Sequence, residues 1–175
     1  MGDLAHQLAR RRVALGFVVA AVAAVFADPT WSSWSAGAAL AAVGESIRIW
    51  AAGHLEKSRE VTRSGPYRWV RHPLYVGSSV LAAGVMVAAR HPLVAIVGVV
   101  YMAVTLTAAI RTEEAFLRDR FGETYDRYVA AAAEPMPRPF SAERAIRNGE
   151  YRTVIGVIAG FALLALKVWL SSVAD

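Results

Sequence analysis

Two short polar stretches of this 175-residue chain hold residue types that could do chemistry together. The first, Glu60 to Gly77, reads EVTRSGPYRWVRHPLYVG and sets Arg71, His72 and Tyr75 just after a Ser64-Gly65-Pro66 turn signal. Gly65 supplies permissive backbone angles and Pro66 fixes the next φ. Pro73 then opens an apolar block. A proline at the first helical position costs no hydrogen bond, so His72 is expected at or near the N-cap. The positive end of such a helix suits an anionic group such as a carboxylate. Tyr75 follows His72 by three residues, so both side chains belong to one turn. Tyr67, Trp69 and Tyr75 add rings whose faces attract cations. The same rings, interleaved with arginines, also fit a membrane-interface belt.

The second stretch, Arg111 to Tyr128, reads RTEEAFLRDRFGETYDRY and directly follows another apolar block. Glu114 stands four residues before Arg118, an ordinary helix-supporting pair, and the plainest reading is a charged helix lying on a membrane. That reading leaves Glu113 and Glu114 unexplained. Carboxylates beside hydrocarbon are costly and have a cationic partner or a ligand.

The elements that must position these stretches are apolar. Hydrophobic residues make up 56% of the chain and charged residues 19%, which excludes intrinsic disorder, a collagen-like repeat and a disulfide-stapled scaffold. The apolar residues fall into five blocks: Val13–Ala27, Trp31–Ala52, Pro73–Ala89, Pro92–Ile110 and Thr153–Leu170. Each approaches or reaches the roughly 17–25 residues of a membrane helix. Only Arg90 and His91 separate the third from the fourth, so those two form a tight hairpin. Its far ends would bring Glu113 and Glu114 beside Arg71, His72 and Tyr75.

Charge placement tests the topology independently. Sixteen of the 19 basic residues lie before the first block, between the second and third, or between the fourth and fifth. With basic residues kept inside, the chain is expected to have five spans, N-in and C-out. The N-terminal arginines Arg10, Arg11 and Arg12 with Val25-Phe26-Ala27 also fit a signal peptide, but its removal would misplace the basic loops. Topology and attraction to anionic headgroups account for the basic charge, and no nucleic-acid-binding pattern accompanies it. There is no cysteine, which removes disulfides, thiol nucleophiles and cysteine-bound zinc. His6, His54, His72 and His91 show no metal-ligand spacing, so no metal is expected. Glycine-rich dinucleotide, Walker and nucleophile-elbow motifs are missing as well.

Taken in order, S-G-P-Y-R-W-V-R-H-P-L-Y-V-G, a membrane hairpin and then E-E-x-x-L-x-x-x-F-G-E-x-Y-x-x-Y resemble the isoprenylcysteine carboxyl methyltransferase family. The wider group takes in phospholipid N-methyltransferases and related bacterial membrane methyltransferases. The resemblance covers residues 50–139 of a single integral-membrane unit, 1–175, with an extra C-terminal membrane helix at about 153–170. It implies an all-α polytopic fold that uses S-adenosylmethionine without a Rossmann domain, with the cofactor site built from cytoplasmic helical segments at the membrane interface.

Carried over by position, the family's cofactor contacts fall on Val61, Thr62, Tyr67, His72, Pro73, Leu74, Tyr75 and Glu113. Glu113 would take the methionyl ammonium and the rings the sulfonium and adenine. Gly65, Pro66 and Arg71 are expected to support the site, Arg71 by pairing with a glutamate. The acceptor is expected to be lipophilic and to enter from the bilayer. A carboxylate or thiolate acceptor needs no base. For a protonated amine Glu114, His72 and Tyr75 are the candidates. One position departs from the isoprenylcysteine enzymes: their substrate-binding arginine, one turn before the glutamate, is Ala109 here, with Arg111 as the nearest substitute. The competing readings are a sterol-reductase-like NADPH enzyme and a non-catalytic membrane scaffold. The sequence does not specify an oligomeric state.

Overall fold

The computed structural model describes residues 15, 16 and 18–174, so His6 and the Arg10–Arg12 cluster of the topology argument lie outside the described residues. Among those described, every regular element is helical. Helix α1 covers residues 18–26, α2 Trp31–Ala52, α3 Pro73–Ala89, α4 Pro92–Phe121, α5 Glu123–Val129, α6 Ala142–Arg147 and α7 Glu150–Ala174. A 3₁₀ turn, Gly65–Arg68, precedes α3. Two of these helices, α4 and α7, are long and apolar enough to cross a membrane, while α3 is apolar but only 17 residues long.

Helix boundaries follow the local chemistry. Thr30 and Ser33 close α2 with a reciprocal capping box. Pro73 and Pro92 occupy the first positions of α3 and α4, and Arg90 takes a left-handed conformation at φ 49° to turn the hairpin. The fourth apolar block does not stop at Ile110. Helix α4 runs 30 residues through the charged stretch, so Arg111–Phe121 continues the hairpin helix and is no separate helix on the membrane. From Ile110 to Phe121 there is no glycine or proline, and Ala, Glu, Leu and Arg are good helix formers. Gly122, at φ 47°, ends the run.

Packing is inverted relative to a soluble protein. The tightest interior is made of small residues: Ala41, Ala51, Ala52, Ala88 and Ala89 are all at most 1% exposed. Ile96, Val99 and Val100 on α4 and Ile155, Ile158 and Leu163 on α7 are each more than half exposed. Small residues let helices approach closely while large apolar side chains face outward, as lipid requires.

The closest approach is α2 against α3. A Cβ added to Gly44 would meet the backbone of Leu81 and Gly77, and one added to Gly84 would meet the backbone of Ala41 and Gly37. Backbone cannot yield as a flexible side chain can. Replacing Gly44 by Leu is therefore expected to cost about 3 kcal/mol and to lower the unfolding temperature in detergent. An unchanged transition would mean that the two helices do not touch there.

The end of the bundle at the α3–α4 turn is tied by charge. Arg90 pairs with Asp28 at 2.8 Å, and the Asp28 N–H donates to the Ala89 carbonyl at 2.9 Å. Lys167, which the sequence leaves inside an apolar block, donates to the Ala24 and Val25 carbonyls at 3.0 and 2.9 Å. It thereby satisfies carbonyls at the end of α1 that have no partner within the helix.

Candidate functional site

At the other end of the hairpin lies an open cavity of about 420 Å³. That volume falls within the roughly 300–1,000 Å³ of small-molecule sites. Val61, Thr62, Tyr67, Arg71, His72, Leu74, Tyr75 and Glu113 all line it, together with Ala109 and Thr112 of α4. Pro73 is buried at the head of α3 and is not a lining residue. Glu114 and Arg111 are not lining residues either, and Arg111 is exposed on α4.

Adjacent positions on α4 point about 100° apart, and this separates the two glutamates. Glu113 accepts a hydrogen bond from the Tyr75 hydroxyl at 2.6 Å, and its Oε2 lies 3.9 Å from His72 Nδ1. Glu114 meets His72 Nε2 at 3.0 Å and Arg71 at 3.2 Å. The two carboxylates thus bracket one imidazole, whose ring stacks on Tyr75 with centroids 5.6 Å apart. His72 is the N-cap of α3 as expected, and its carbonyl accepts from the Tyr75 and Val76 amides.

The 3₁₀ turn supplies the opposite wall. Gly65 sits at φ 54°, where a Cβ would also strike the His54 ring, so glycine is required twice over. Pro66 is buried inside the turn. Tyr67 is 7% exposed, and burial pushes its phenol well above the usual range, with the charge of Glu113 adding to the shift. The ring stays neutral at any working pH. Tyr128 of α5 donates to the Tyr67 carbonyl at 2.8 Å and pins the turn from outside, and burial lifts its own phenol to about 12. Tyr125, 1% exposed, lines the cavity with a hydroxyl that has no hydrogen-bond partner among the described residues.

A strap holds the loop from Gly53 to Ser64 against the site. Arg138 makes a two-pronged pair with Glu60 at 2.6 and 2.8 Å, and Arg144 donates to Glu56 at 2.7 Å. Asn148 donates to the carbonyls of Ala52 and Leu55 at 2.8 and 2.9 Å, capping the end of α2. The hydrogen bond from Arg144 holds the Glu56 carboxyl below the usual carboxylate range. Burial lowers the His54 imidazole, and the charges of Arg144 and Arg138 act in the same direction.

Both shifts make the strap acid-labile. A depressed histidine pKa removes stability once pH falls below the unfolded value of about 6.5. The Glu56 contribution is complete above about pH 4.5 and is lost as pH falls through its lowered folded value. The melting temperature is therefore expected to drop in two stages between pH 7.5 and 3.5. Glu56→Gln should shrink the lower stage and leave the upper one, with Glu114, held low by its hydrogen bond with His72, and Asp28, held low by Arg90, supplying the rest; an unaltered lower stage would exclude Glu56 as a source.

Tyr125, Tyr128, Asn148 and Glu150 line the cavity without a sequence assignment, and Glu150 is met by the Glu45–Arg48 pair of α2, which lies outside the lining. A signal was present for three of them. Glu45 and Arg48 interrupt the second apolar block, where an ionisable residue at membrane depth points to function, and Glu150 stands three residues before the last block.

A small-residue helical bundle with lipid-ready outer faces, and one cavity lined by tyrosines and carboxylates, defines a helical membrane protein with a small-molecule site. Residues 12–124 match the model of the phospholipid methyltransferase family, and the chain belongs to that family. It is 34% identical to the cobalt-zinc-cadmium resistance protein CzcN of Cupriavidus metallidurans, over 94% of this chain and 76% of that protein. It is 30% identical to the nickel-cobalt-cadmium resistance protein NccN of Alcaligenes xylosoxydans xylosoxydans, over 75% of this chain and 67% of that protein. A probable protein-S-isoprenylcysteine O-methyltransferase of rice, Oryza sativa, is 31% identical over 48% of this chain and 44% of its own length. No solved structure matches. The family resemblance seen in the two polar stretches holds, and a methyltransferase is favoured over the reductase and scaffold readings.

Proposed function

We propose that this chain is an integral-membrane methyltransferase that uses S-adenosylmethionine and acts on a lipophilic acceptor. In this reading it has five spans, N-in and C-out, with the cavity at the cytoplasmic interface. The family core extends over about residues 50–139 and the last helix is an addition to it. The observation that carries the reading is one cavity lined by Tyr67, His72, Tyr75 and Glu113 at the open end of the hairpin, in a chain of a methyltransferase family.

The residues present fit the cofactor. The cavity has a suitable volume, and Tyr125 leaves a buried hydroxyl without a partner in its wall. Neutral rings and a carboxylate suit a ligand bearing a sulfonium and an ammonium. When bound, S-adenosylmethionine supplies an activated methyl group. Glu113, oriented by the Tyr75 hydroxyl, holds the ammonium. Leu74, in the first turn of α3 and in the cavity wall, would face the methionyl carboxylate, while Pro73, buried outside the lining, starts the helix that presents it. Val61, Thr62 and Tyr67 form the wall for the remainder. Most of the rate enhancement comes from alignment and exclusion of water. His72 and Tyr75, both in the cavity wall, are the candidates to take a proton from a protonated amine acceptor. Glu114, engaged by His72 and Arg71, is a positioning residue that acts through the imidazole.

The test is transfer of a tritiated methyl group from S-adenosylmethionine into an organic extract by purified protein in lipid nanodiscs. Saturable incorporation that falls at least tenfold in His72→Ala is expected. No incorporation into any lipid, amine, thiol or prenylcysteine would overturn the reading.

A further inference from the structure

Part of the cavity wall comes from outside the residues that match the family. That match spans residues 12–124, whereas Asn148, at the junction of α6 and α7, lines the cavity with Leu55, Val61 and Thr62. Its placement is fixed through both backbone and side chain. The Asn148 amide donates to the Arg144 carbonyl at 2.9 Å, and Gly149, at φ 87°, turns the chain into α7 immediately afterwards. The side-chain Nδ2 commits both of its N–H groups to the Ala52 and Leu55 carbonyls, at 2.8 and 2.9 Å. Only the N–H end of an amide can face two carbonyls, which fixes its orientation. Oδ1 is left with no donor among the described residues and stays open to water.

The two sides of the cavity offer different chemistry. On the α3–α4 side the Glu113 carboxylate, held by the Tyr75 hydroxyl beside His72, meets the charged end of a ligand. On the other side the Glu56 amide donates to Thr62 Oγ1 at 3.2 Å, and Asn148 holds the adjoining Leu55 carbonyl. Leu55, Val61, Thr62 and Asn148 therefore make one continuous wall. Glu56, Glu60 and Glu150 beside it are each paired with an arginine. Leu55 and Val61 give apolar surface for a flat ring, and the Asn148 oxygen gives one fixed, neutral acceptor. Such an acceptor recognises an N–H donor, and the exocyclic N–H donor of an adenine is its 6-amino group.

We propose that Asn148 Oδ1 accepts a hydrogen bond from the 6-amino group of the cofactor's adenine, so that the C-terminal extension selects the base of the cofactor. This rests on the methyltransferase reading of the same cavity and adds to the residues carried over from the family, none of which follows Glu113. A 6-oxo base would set one oxygen against another and leave Asn148 without a donor, a mismatch rejected more strongly than the loss of an apolar contact. Asn148 is a binding residue and takes no part in methyl transfer. The Nδ2 bonds that cap α2 hold its oxygen in place before the ligand arrives.

The full chain in detergent is titrated calorimetrically with S-adenosylhomocysteine and with S-inosylhomocysteine, in which a 6-oxo group replaces the 6-amino group. The unsubstituted protein is expected to favour the adenosyl ligand about 30-fold, and Asn148→Ala to bring the two affinities within about threefold of each other. Loss of the α2 cap lowers thermal stability in the same variant, but a purely structural role would weaken both ligands alike and leave their ratio at the parental value. That result would overturn the proposal. Equal affinity of the unsubstituted protein for the two ligands would overturn it too, and this arm needs no variant to fold. Absence of S-adenosylhomocysteine binding by the unsubstituted protein would instead remove the methyltransferase reading, and this proposal with it.

Discussion

Replacing Arg48 by Met is expected to destabilise the protein by about 3–5 kcal/mol, the range for removing one partner of a buried ion pair. Arg48 is 83% removed from solvent by its side-chain exposure of 17%, and the side chains of Glu45 and Glu150 are only 10% and 9% exposed. Without the guanidinium, two carboxylates that are each 7% exposed lose their cationic partner. The hydrogen bonds to Ser78 and Thr153, which tie α2 to α3 and α7, vanish as well. The diagnostic result is rescue. Arg48→Met combined with Glu45→Gln and Glu150→Gln removes the stranded charge and should recover most of the loss in heat or SDS unfolding. A single variant that unfolds with the parent would show that the three side chains do not form a buried group.

The second large effect is on ligand affinity. Glu113→Ala is expected to weaken S-adenosylhomocysteine binding about 100-fold, equivalent to about 2.8 kcal/mol at 1.4 kcal/mol per tenfold. That magnitude suits the loss of one charge-assisted hydrogen bond to an ammonium. The hydrogen bond from the Tyr75 hydroxyl to Glu113 is lost as well. Arg111→Ala is the matched control, two residues earlier on the same helix and exposed. It should leave affinity within twofold. Equal loss in both variants would point to damage to α4, and no loss in either would exclude Glu113 from the cofactor site.

Much of this geometry was legible in the sequence because it is local or set by one short connection. Pro73 and Pro92 mark helix starts, and only two residues divide the blocks between them, so His72 and Glu113 had to end up as neighbours. The exit of α4 was misread for a physical reason. Hydropathy falls at Arg111, but a helix ends on backbone grounds, and no breaker occurs before Gly122. The Glu113-Glu114 pair could be placed beside His72, whereas which of them faces the cavity depends on the rotation of α4. Contacts such as Arg138 with Glu60, 78 residues apart, and Arg48 with Glu150, 102 apart, depend on how the last two helices return to the bundle. No local spacing encodes that return. The charges of Glu45 and Arg48 at membrane depth were visible, but not their meeting with Glu150.

The most direct test of the central claim is isothermal calorimetry of the detergent-purified protein with S-adenosylmethionine and S-adenosylhomocysteine, with NADPH as comparator. The cavity described here predicts saturable binding of both adenosyl ligands at one site per chain and none of NADPH. Heat from NADPH with none from either adenosyl ligand would contradict it.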